Sequence, residues 1–364
     1  MIALRALAFI AGLTLVMWVL LSAAITVVLP RGESVALTRA VFLTWRRLFV
    51  FFASRTHTFE AEDRIMAFFA PIGLLTLPFV WLVFVLAGYT GMYWAVGGVG
   101  LRGAFIEAGS LFTFGFKAPP GIPQTILSYS EAAIGLGLVA LLISYLPSLY
   151  AAFSRREQLV TLLETRAGNP PSVRQMLLRF YTIHGLEQLG PQFALWEQWF
   201  ADVEETHTSN PALVNFRSPI PSRNWLTSAG AILDAASFAA STLDQPREPR
   251  AELCLRAGYL CLRHIAHTFR ISHRHDPAPT DPISVTREEY DVVYDQLEAD
   301  GLPLKRDRDQ AWRDFAGWRV NYDDVLVPLA RFIRAPAAPW SSDRDMYPVP
   351  KVPIRKRRRM HVDE

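Results

Sequence analysis

Residues 107–117 read E-A-G-S-L-F-T-F-G-F-K, and this short segment lies between two long apolar runs, over residues 65–96 and 129–153. Apolar runs of this length are typical of helices that cross a membrane. Irregular backbone is tolerated at membrane depth only where it is buried in protein or lines a water-filled path. The pattern therefore predicts a chain that crosses a membrane, dips part-way back in and crosses again, which is the layout of a pore.

Composition divides the 364-residue chain into a membrane part and a soluble part. Hydrophobic residues make up 51% of the whole, but nearly all the long apolar runs lie in residues 1–153. Residues 154–364 have the composition of a soluble domain, rich in Arg, Asp and Glu. The net charge of +3 is too small to indicate a nucleic-acid partner. Two turns of helix would separate Cys254 from Cys261, which is too far for a disulfide and favours a reducing, cytosolic setting.

Residues 1–30 are predicted to form the first membrane helix. Their apolar run is uncharged and long enough to span about 30 Å of hydrocarbon. A cleaved signal peptide is the alternative, because residues 22–24 are small enough for a cleavage site. The run is longer than the hydrophobic core of such peptides, so we expect an uncleaved helix.

Residues 31–64 carry six arginines together with apolar residues at helical spacing. Arg46 and Arg47 lie in the middle of the apolar run, which argues against a spanning helix. The segment is predicted to be an amphipathic helix in the membrane interface. Packing of the same helix on the soluble part of the protein is the alternative.

Basic residues also predict the orientation. The arginine-rich residues 31–64 should be cytoplasmic by the positive-inside rule, which places the N-terminus and residues 98–128 outside. Arg155 and Arg156 directly follow the third apolar run and agree with this orientation. Tyr89 and Tyr93 then fall at the outer membrane surface, where an aromatic belt is expected. The predicted location is the cell membrane, as a multi-pass protein with a cytoplasmic C-terminal domain.

Residues 65–153 follow a distinctive order: an outer helix, a short helix, the pattern Thr-x-Gly-aromatic, a proline-rich turn and a glycine-containing inner helix. This order resembles the two-helix pore module of tetrameric potassium channels, whose filter reads Thr-Val-Gly-Tyr-Gly-Asp. By position, Thr113, Gly115 and Phe116 take the places of the filter threonine, first glycine and tyrosine. The resemblance implies four chains around one axis, with carbonyl oxygens near Thr113, Phe114 and Gly115 lining the path of a monovalent cation, K⁺ in that family.

The inner helix and the pore mouth match the family in part. Glu131 resembles the acidic start of the inner helix, and Gly135 resembles its hinge glycine, with Gly137 beside it. Tight helix packing is the alternative explanation for the two glycines. Lys117 would form a ring of four cations at the mouth of a tetramer, each repelling an approaching cation by about 1 kcal/mol. Glu107, on the short helix, could offset that charge.

The loop also departs from the family pattern at three positions. Phe114 replaces valine, Lys117 replaces the second glycine, and Ala118 replaces the aspartate. Loss of the second glycine weakens the outermost ion site, because glycine allows backbone conformations that other residues resist. The sequence leaves open a weakly selective pore, a gated pore, a non-conducting pore and an ordinary extracellular loop.

Residues 154–340 are predicted to form an all-α cytoplasmic domain of six or seven helices, since apolar residues recur at helical spacing without strand alternation. Capping boxes at residues 154–157 and 286–289 are predicted to begin two of these helices. The domain lacks a glycine-rich phosphate loop and a dinucleotide fingerprint. The sequence therefore predicts neither an enzyme nor a cofactor.

Two further features of the soluble part have alternative interpretations. Cys261, His264 and His267 could share one face of a helix as weak candidates for zinc ligands, but core packing and a pH-sensitive histidine group are alternatives. Residues 341–364 form a basic tail that is predicted to be disordered and to contact anionic lipid.

Taken together, these features predict an all-α membrane protein with three transmembrane helices, a re-entrant pore loop and a helical cytoplasmic domain. The expected function is that of a homotetrameric, potassium-channel-like cation channel, gated by the inner helix and the cytoplasmic domain. The alternative is a membrane-anchored sensory or interaction protein with a non-conducting loop. The expected partners are the lipid bilayer, further copies of the chain and, in the alternative, an unknown cytoplasmic protein, with no nucleic acid.

Overall fold

The computed structural model describes residues 2–27, 36–97, 100–112 and 121–344. Within these ranges the regular elements are helices, and an isolated β-bridge joins Leu243 to Leu304. The predicted all-α class is therefore confirmed for the described part of the chain. Of the predicted basic tail over residues 341–364, residues 345–364 lie outside the described ranges.

The chain divides into two compact units. The membrane unit comprises residues 1–155 with 206–217, and the soluble unit comprises residues 156–205 with 218–364. The helices along the chain are α1 (Ile2–Val27), α2 (Ala36–Ala53), α3 (Phe59–Ala67), α4 (Phe69–Gly97), α5 (Leu101–Phe112), α6 (Ile122–Ala167), α7 (Val173–Thr182), α8 (Leu189–Ser209), α9 (Trp225–Thr242), α10 (Pro249–Thr268), α11 (Arg287–Ala299) and α12 (Arg308–Ile333).

Three helical segments of the described chain are long and apolar enough to cross a membrane: Ile2–Val27, Phe59–Gly97 and Ile122–Ala167. They correspond to α1, to α3 with α4, and to α6. The number of candidate spanning helices therefore agrees with the three that the sequence predicts. A helix satisfies most of its backbone hydrogen bonds internally, which suits a hydrocarbon environment.

Prolines explain the course of the second segment. The α3 helix begins after Thr58, whose side chain accepts a hydrogen bond from the backbone N–H of Ala61. A break at Phe68 separates α3 from α4, and Pro71 lies in the first turn of α4, where its missing N–H is not needed. Pro78 lies inside α4, where it removes one backbone hydrogen bond from the helix.

The α1 and α4 helices cross at two glycines. A Cβ atom added at Gly12 would lie 2.4 Å from the carbonyl oxygen of Gly88. A Cβ atom added at Gly88 would lie 2.7 Å from Cγ2 of Val16. Small residues let membrane helices approach this closely, so the two glycines are needed for the α1–α4 packing.

Aromatic side chains attach α2 to the start of α4. The rings of Phe42 and Phe49 lie 6.1 Å and 6.0 Å from that of Phe69, measured between centroids. The indole N–H of Trp45 donates a 3.1 Å hydrogen bond to the hydroxyl of Thr76. The apolar face of α2, which the sequence predicts to lie in the membrane interface, therefore contacts side chains of α4.

The α6 helix corrects one sequence prediction. The capping box at residues 154–157 was expected to begin a separate helix, but α6 continues through it. Arg156 donates from Nε and Nη2 to the Glu157 carboxylate, at 2.9 Å and 2.8 Å. A cap needs the free N–H groups of a helix start, and those of an uninterrupted helix are already bonded.

The second predicted capping box is present at the start of α11. The Thr286 hydroxyl accepts from the backbone N–H of Glu289 at 3.3 Å, and the Glu289 carboxylate accepts from the backbone N–H of Thr286 at 2.8 Å. Here the preceding residues are turns, so the helix start has free N–H groups that the side chains satisfy.

The soluble unit is built around α9, whose side chains are almost all buried. Asp234 lies on this helix and pairs with the guanidinium of Arg319 on α12. Arg319 also donates from Nε to Asp323 at 2.8 Å. Burial lowers the pKa of Arg319, but the carboxylates of Asp234 and Asp323 outweigh it and raise the pKa, so the guanidinium stays charged.

Candidate functional site

A buried acid, Glu131, lies in the third turn of α6, which is one of the three candidate membrane-spanning helices. Its side chain is only 2% exposed, and neither carboxylate oxygen has a hydrogen-bond partner that meets normal geometry among the described residues. Ionisable residues inside membrane-spanning helices are costly and usually mark ion pathways, proton relays or ligand sites. Glu131 is therefore the centre of the candidate site.

Hydroxyl groups of α4 and α6 surround this carboxyl group. The Tyr89 and Ser130 hydroxyls share a 2.8 Å hydrogen bond. The Tyr93 hydroxyl lies beside Ser128 and the carboxyl of Glu131, but short of normal hydrogen-bond geometry with that carboxyl. Together these residues form a polar cluster within an otherwise apolar helix pair.

Helical spacing explains why both tyrosines face the acid. Residues four apart lie on the same face of a helix, so Tyr89 and Tyr93 project together from α4. Their ring centroids are 6.3 Å apart. Both rings are almost fully buried in the hydrophobic core of the membrane unit. The polar ends of two buried tyrosines are thus directed at α6 rather than at the outer membrane surface.

The short helix α5 closes the site on a third side. Ala104 and Ala108, one turn apart, are completely buried in the same core as Val85 and Tyr89 of α4. Their small side chains let α5 lie close to α4. Glu107, between them on the helix, is half-buried and near enough to act electrostatically on the Tyr93 hydroxyl. The structure thus brings Glu107 towards the cluster that contains Glu131.

The two inner-helix glycines face open space within one chain. A Cβ atom added at Gly135 or at Gly137 would meet no other atom of the described residues within 4 Å. Gly137 borders an apolar groove of about 560 Å³ between α6 and Leu20 of α1. Close packing against the described part of the same chain therefore does not account for either glycine.

The outward face of α6 is apolar and uncovered. Leu136 and Ile143 are 69% and 67% exposed, and Val139 is half-exposed. In a membrane such a face meets either lipid or a helix of another subunit.

The predicted filter lies outside the described residues. This applies to Thr113, Phe114, Gly115, Phe116 and Lys117. The structure describes the helices on either side of them: α5 ends at Phe112 and α6 begins at Ile122.

The weak zinc candidates of the soluble unit are not arranged as ligands. The Cys261 thiol is fully buried, and burial raises its pKa well above the usual value, so it stays protonated. Metal ligation needs the thiolate. His264 Nδ1 lies 2.7 Å from a Glu204 carboxylate oxygen, and His267 borders a surface pocket. Among the described residues no three or more His, Cys, Asp or Glu side chains could together hold a metal ion.

Sequence reasoning singled out Glu131 and Glu107 but did not connect them with the tyrosines. It assigned Tyr89 and Tyr93 to an aromatic belt. The usable signal was their four-residue spacing, opposite an acid near the start of the following apolar run. The signal can be interpreted only once α4 is known to pack against α6, and a local sequence pattern does not show that contact.

Comparison with known proteins finds no matching family model, no similar curated protein and no similar solved structure. The function of the chain must therefore be argued from the site itself.

Proposed function

We propose that the chain is one subunit of a homotetrameric, potassium-channel-like cation channel of the cell membrane. In this proposal α4 is the outer helix, α5 the pore helix and α6 the inner helix. Its N-terminus is outside, and its soluble unit is cytoplasmic. A single copy cannot enclose a path, so the loop requires a closed ring of subunits.

The observation that carries the proposal is the position of α5. This short helix begins four residues after α4 ends, and its Ala104 and Ala108 are buried against the same stretch of α4 that carries Tyr89. The burial of these two alanines supports a pore helix that folds back alongside α4, and not a helix that lies on the surface of the membrane. Its last residue, Phe112, directly precedes the filter-like segment, so the negative end of the helix dipole would face a cation there.

The acids near α5 fit the same function. The carboxyl groups of Glu107 and Glu131 would lie near the predicted filter, where they could carry negative charge or bind a proton. Carboxylates near a cation path lower the energy of the ion, and they offset the lysine ring proposed for Lys117. The uncovered apolar face of α6 fits a helix that meets neighbouring subunits.

The test is cation flux into liposomes that hold the purified full-length protein. We expect K⁺ flux above Na⁺ flux for the wild type and loss of both in Gly115→Ala, because the filter needs the backbone freedom of glycine. Gly100→Ala is the matched control: a Cβ atom there meets nothing within 4 Å, so flux should be unchanged. A folded protein that carries neither ion, or flux that survives Gly115→Ala, would refute the proposal.

A second candidate function is that of a membrane-anchored sensory or interaction protein. The observation that favours it is a polar pocket of the soluble unit, lined by three histidines and an arginine. In this case the loop conducts nothing, and a ligand or cytoplasmic partner binds the helical unit. A monomer without cation flux but with a measurable ligand would support this second function.

A further inference from the structure

A pocket of about 330 Å³ opens beside the C-terminal end of α10 in the soluble unit. Its volume falls at the lower end of the range for small-ligand sites, roughly 300–1,000 Å³. The lining residues are His267, Arg270, Ile271, Ser272, His273 and His275. Four of these six carry side chains that can bear positive charge.

Arg270 occupies a backbone position that glycine normally takes. Its φ is 58°, in the left-handed region. The backbone N–H of Arg270 donates to the carbonyl of His267 at 3.0 Å, and that of Ile271 donates to the carbonyl of Ala266 at 2.8 Å. This is the geometry of a helix end at which glycine is preferred. A side chain kept in a strained backbone conformation beside a pocket points to a role for that side chain.

The guanidinium of Arg270 is also uncommitted. Within the described part of the chain it makes no side-chain hydrogen bond and no ion pair. The neighbouring arginines are engaged: Arg263 donates to the carbonyls of Asn321 and His275, at 3.0 Å and 3.1 Å. Arg274 pairs with Asp281 at 3.1 Å. Arg270 therefore has all its donors available for a ligand.

The histidines add donors around the same space. The rings of His273 and His275 lie side by side, with centroids 5.0 Å apart. His273 Nδ1 lies 3.3 Å from the carbonyl of Ile271, to which it donates, so Nε2 can accept from a phosphate hydroxyl or, in an imidazolium, donate to a phosphate oxygen. His267 reaches the pocket from the last turn of α10.

Fixed charges of both signs surround the pocket. Arg263, Arg270 and Arg274 carry positive charge, and Asp276, Asp281 and Asp324 carry carboxylates. Arg263 and Arg274 are engaged by protein groups, so the guanidinium of Arg270 is the one that remains to attract an anion. Asp324 accepts the backbone N–H of Arg274 at 2.7 Å and so holds the loop rather than facing outward as a cation ligand.

We propose that this pocket binds a phosphate group, with Arg270 as its main ligand and the histidines as additional donors. A guanidinium fork matches two phosphate oxygens at once, which is why arginine is the usual residue for planar recognition of phosphate. The group belongs either to a soluble phosphate compound or to a lipid headgroup. The site does not depend on whether the loop of the membrane unit conducts ions.

The test is calorimetric titration of the full-length protein in detergent with inorganic phosphate at constant ionic strength. We expect saturable binding to the wild type and roughly tenfold or greater weakening in Arg270→Gln, as expected for losing a charge-assisted bidentate contact. Arg306→Gln removes an exposed arginine elsewhere in the soluble unit and should leave binding unchanged. Absence of saturable binding, or equal affinity in Arg270→Gln, would overturn the proposal.

A glycine variant separates binding from folding. Arg270→Gly should unfold at the same or a higher temperature than wild type, because glycine is unstrained at this φ, yet it should lose phosphate binding. Retention of wild-type binding in this folded variant would contradict the assignment.

A second titration identifies the source of the phosphate. A short-chain phosphatidic acid that binds tenfold more tightly than inorganic phosphate, and loses that advantage in Arg270→Gln, indicates a lipid headgroup. Equal affinities indicate a soluble phosphate compound.

Discussion

Two equally buried acids, Asp234 of the soluble unit and Glu131 of the membrane unit, have opposite surroundings. One oxygen of Asp234 accepts hydrogen bonds from the Tyr322 hydroxyl, at 2.8 Å, and from the Arg319 guanidinium. Neither oxygen of Glu131 has such a partner among the described residues. A buried charge held by an ion partner belongs to the scaffold, whereas an unpartnered one costs stability and is retained for another role.

The largest expected effect is on the scaffold acid. Arg319→Met leaves Asp234 and Asp323 buried without their cation, and should lower the free energy of unfolding by about 3–5 kcal/mol. Thermal unfolding followed by circular dichroism measures the loss. Arg250→Met is the control, because Arg250 is half-exposed and its ion pair contributes about 1 kcal/mol or less.

A second substitution sharpens this result. If the loss arises from an uncompensated buried charge, adding Asp234→Leu to Arg319→Met should recover part of the stability. A loss no larger than that of the Arg250 control would show that Asp234 is not held as an ion.

The acid of the membrane unit should behave in the opposite way. Glu131→Gln replaces a buried carboxyl group that has no ion partner among the described residues by a neutral group of the same shape, so the free energy of unfolding should change by no more than about 1 kcal/mol. The same unfolding measurement applies, with Glu107→Gln as the comparison on α5. A loss as large as that of Arg319→Met would place Glu131 in the scaffold and end the distinction between the two acids.

A third acid, Asp324, lies between these extremes and should show the smallest effect. One oxygen accepts the backbone N–H of Arg274 and the other has no partner within the described chain. Burial raises the pKa of Asp324 above its ordinary value of 3.8, although the hydrogen bond from Arg274 opposes the shift. Because its pKa is higher in the folded state than in the unfolded state, ionised Asp324 destabilises the folded protein at neutral pH. This destabilisation disappears at low pH, where the carboxyl is protonated in both states.

Asp324→Asn should therefore raise the free energy of unfolding by less than about 1 kcal/mol at pH 7. The gain should vanish near pH 2.5, about one unit below the ordinary pKa of 3.8, where the wild-type carboxyl is protonated in both states. Unfolding curves at the two pH values measure it, with the exposed Asp276→Asn as control. A gain that is the same at both pH values would show that ionisation of Asp324 is not its cause.

The candidate membrane helices were predictable from the sequence, because a long continuous run of apolar residues is visible without knowledge of tertiary contacts. Continuous apolar runs located α1, α4 and α6. Capping boxes were less dependable, because they are local signals. The box at residues 286–289 begins a helix after a turn, whereas the one at residues 154–157 lies in the interior of the continuous helix α6.

The candidate site could be predicted only in part. Glu131 stands out in the sequence as an acid at the start of an apolar run. Its lack of partners depends on how α4, α5 and α6 pack together. Ala104 and Ala108 of α5 permit this packing, but in the sequence they are ordinary helix-forming residues. Arg270 was not predicted as a site residue, because the sequence does not show that its backbone adopts the left-handed conformation.

The most direct test of this account is K⁺ flux through Glu131→Gln in liposomes, measured beside the unfolding curve of the same preparation. We predict a change in flux of roughly tenfold, equivalent to about 1.4 kcal/mol in the barrier, with the unfolding temperature unchanged. Wild-type flux in Glu131→Gln, from a protein that conducts K⁺ and remains folded, would contradict the claim that the unpartnered acid marks the functional site.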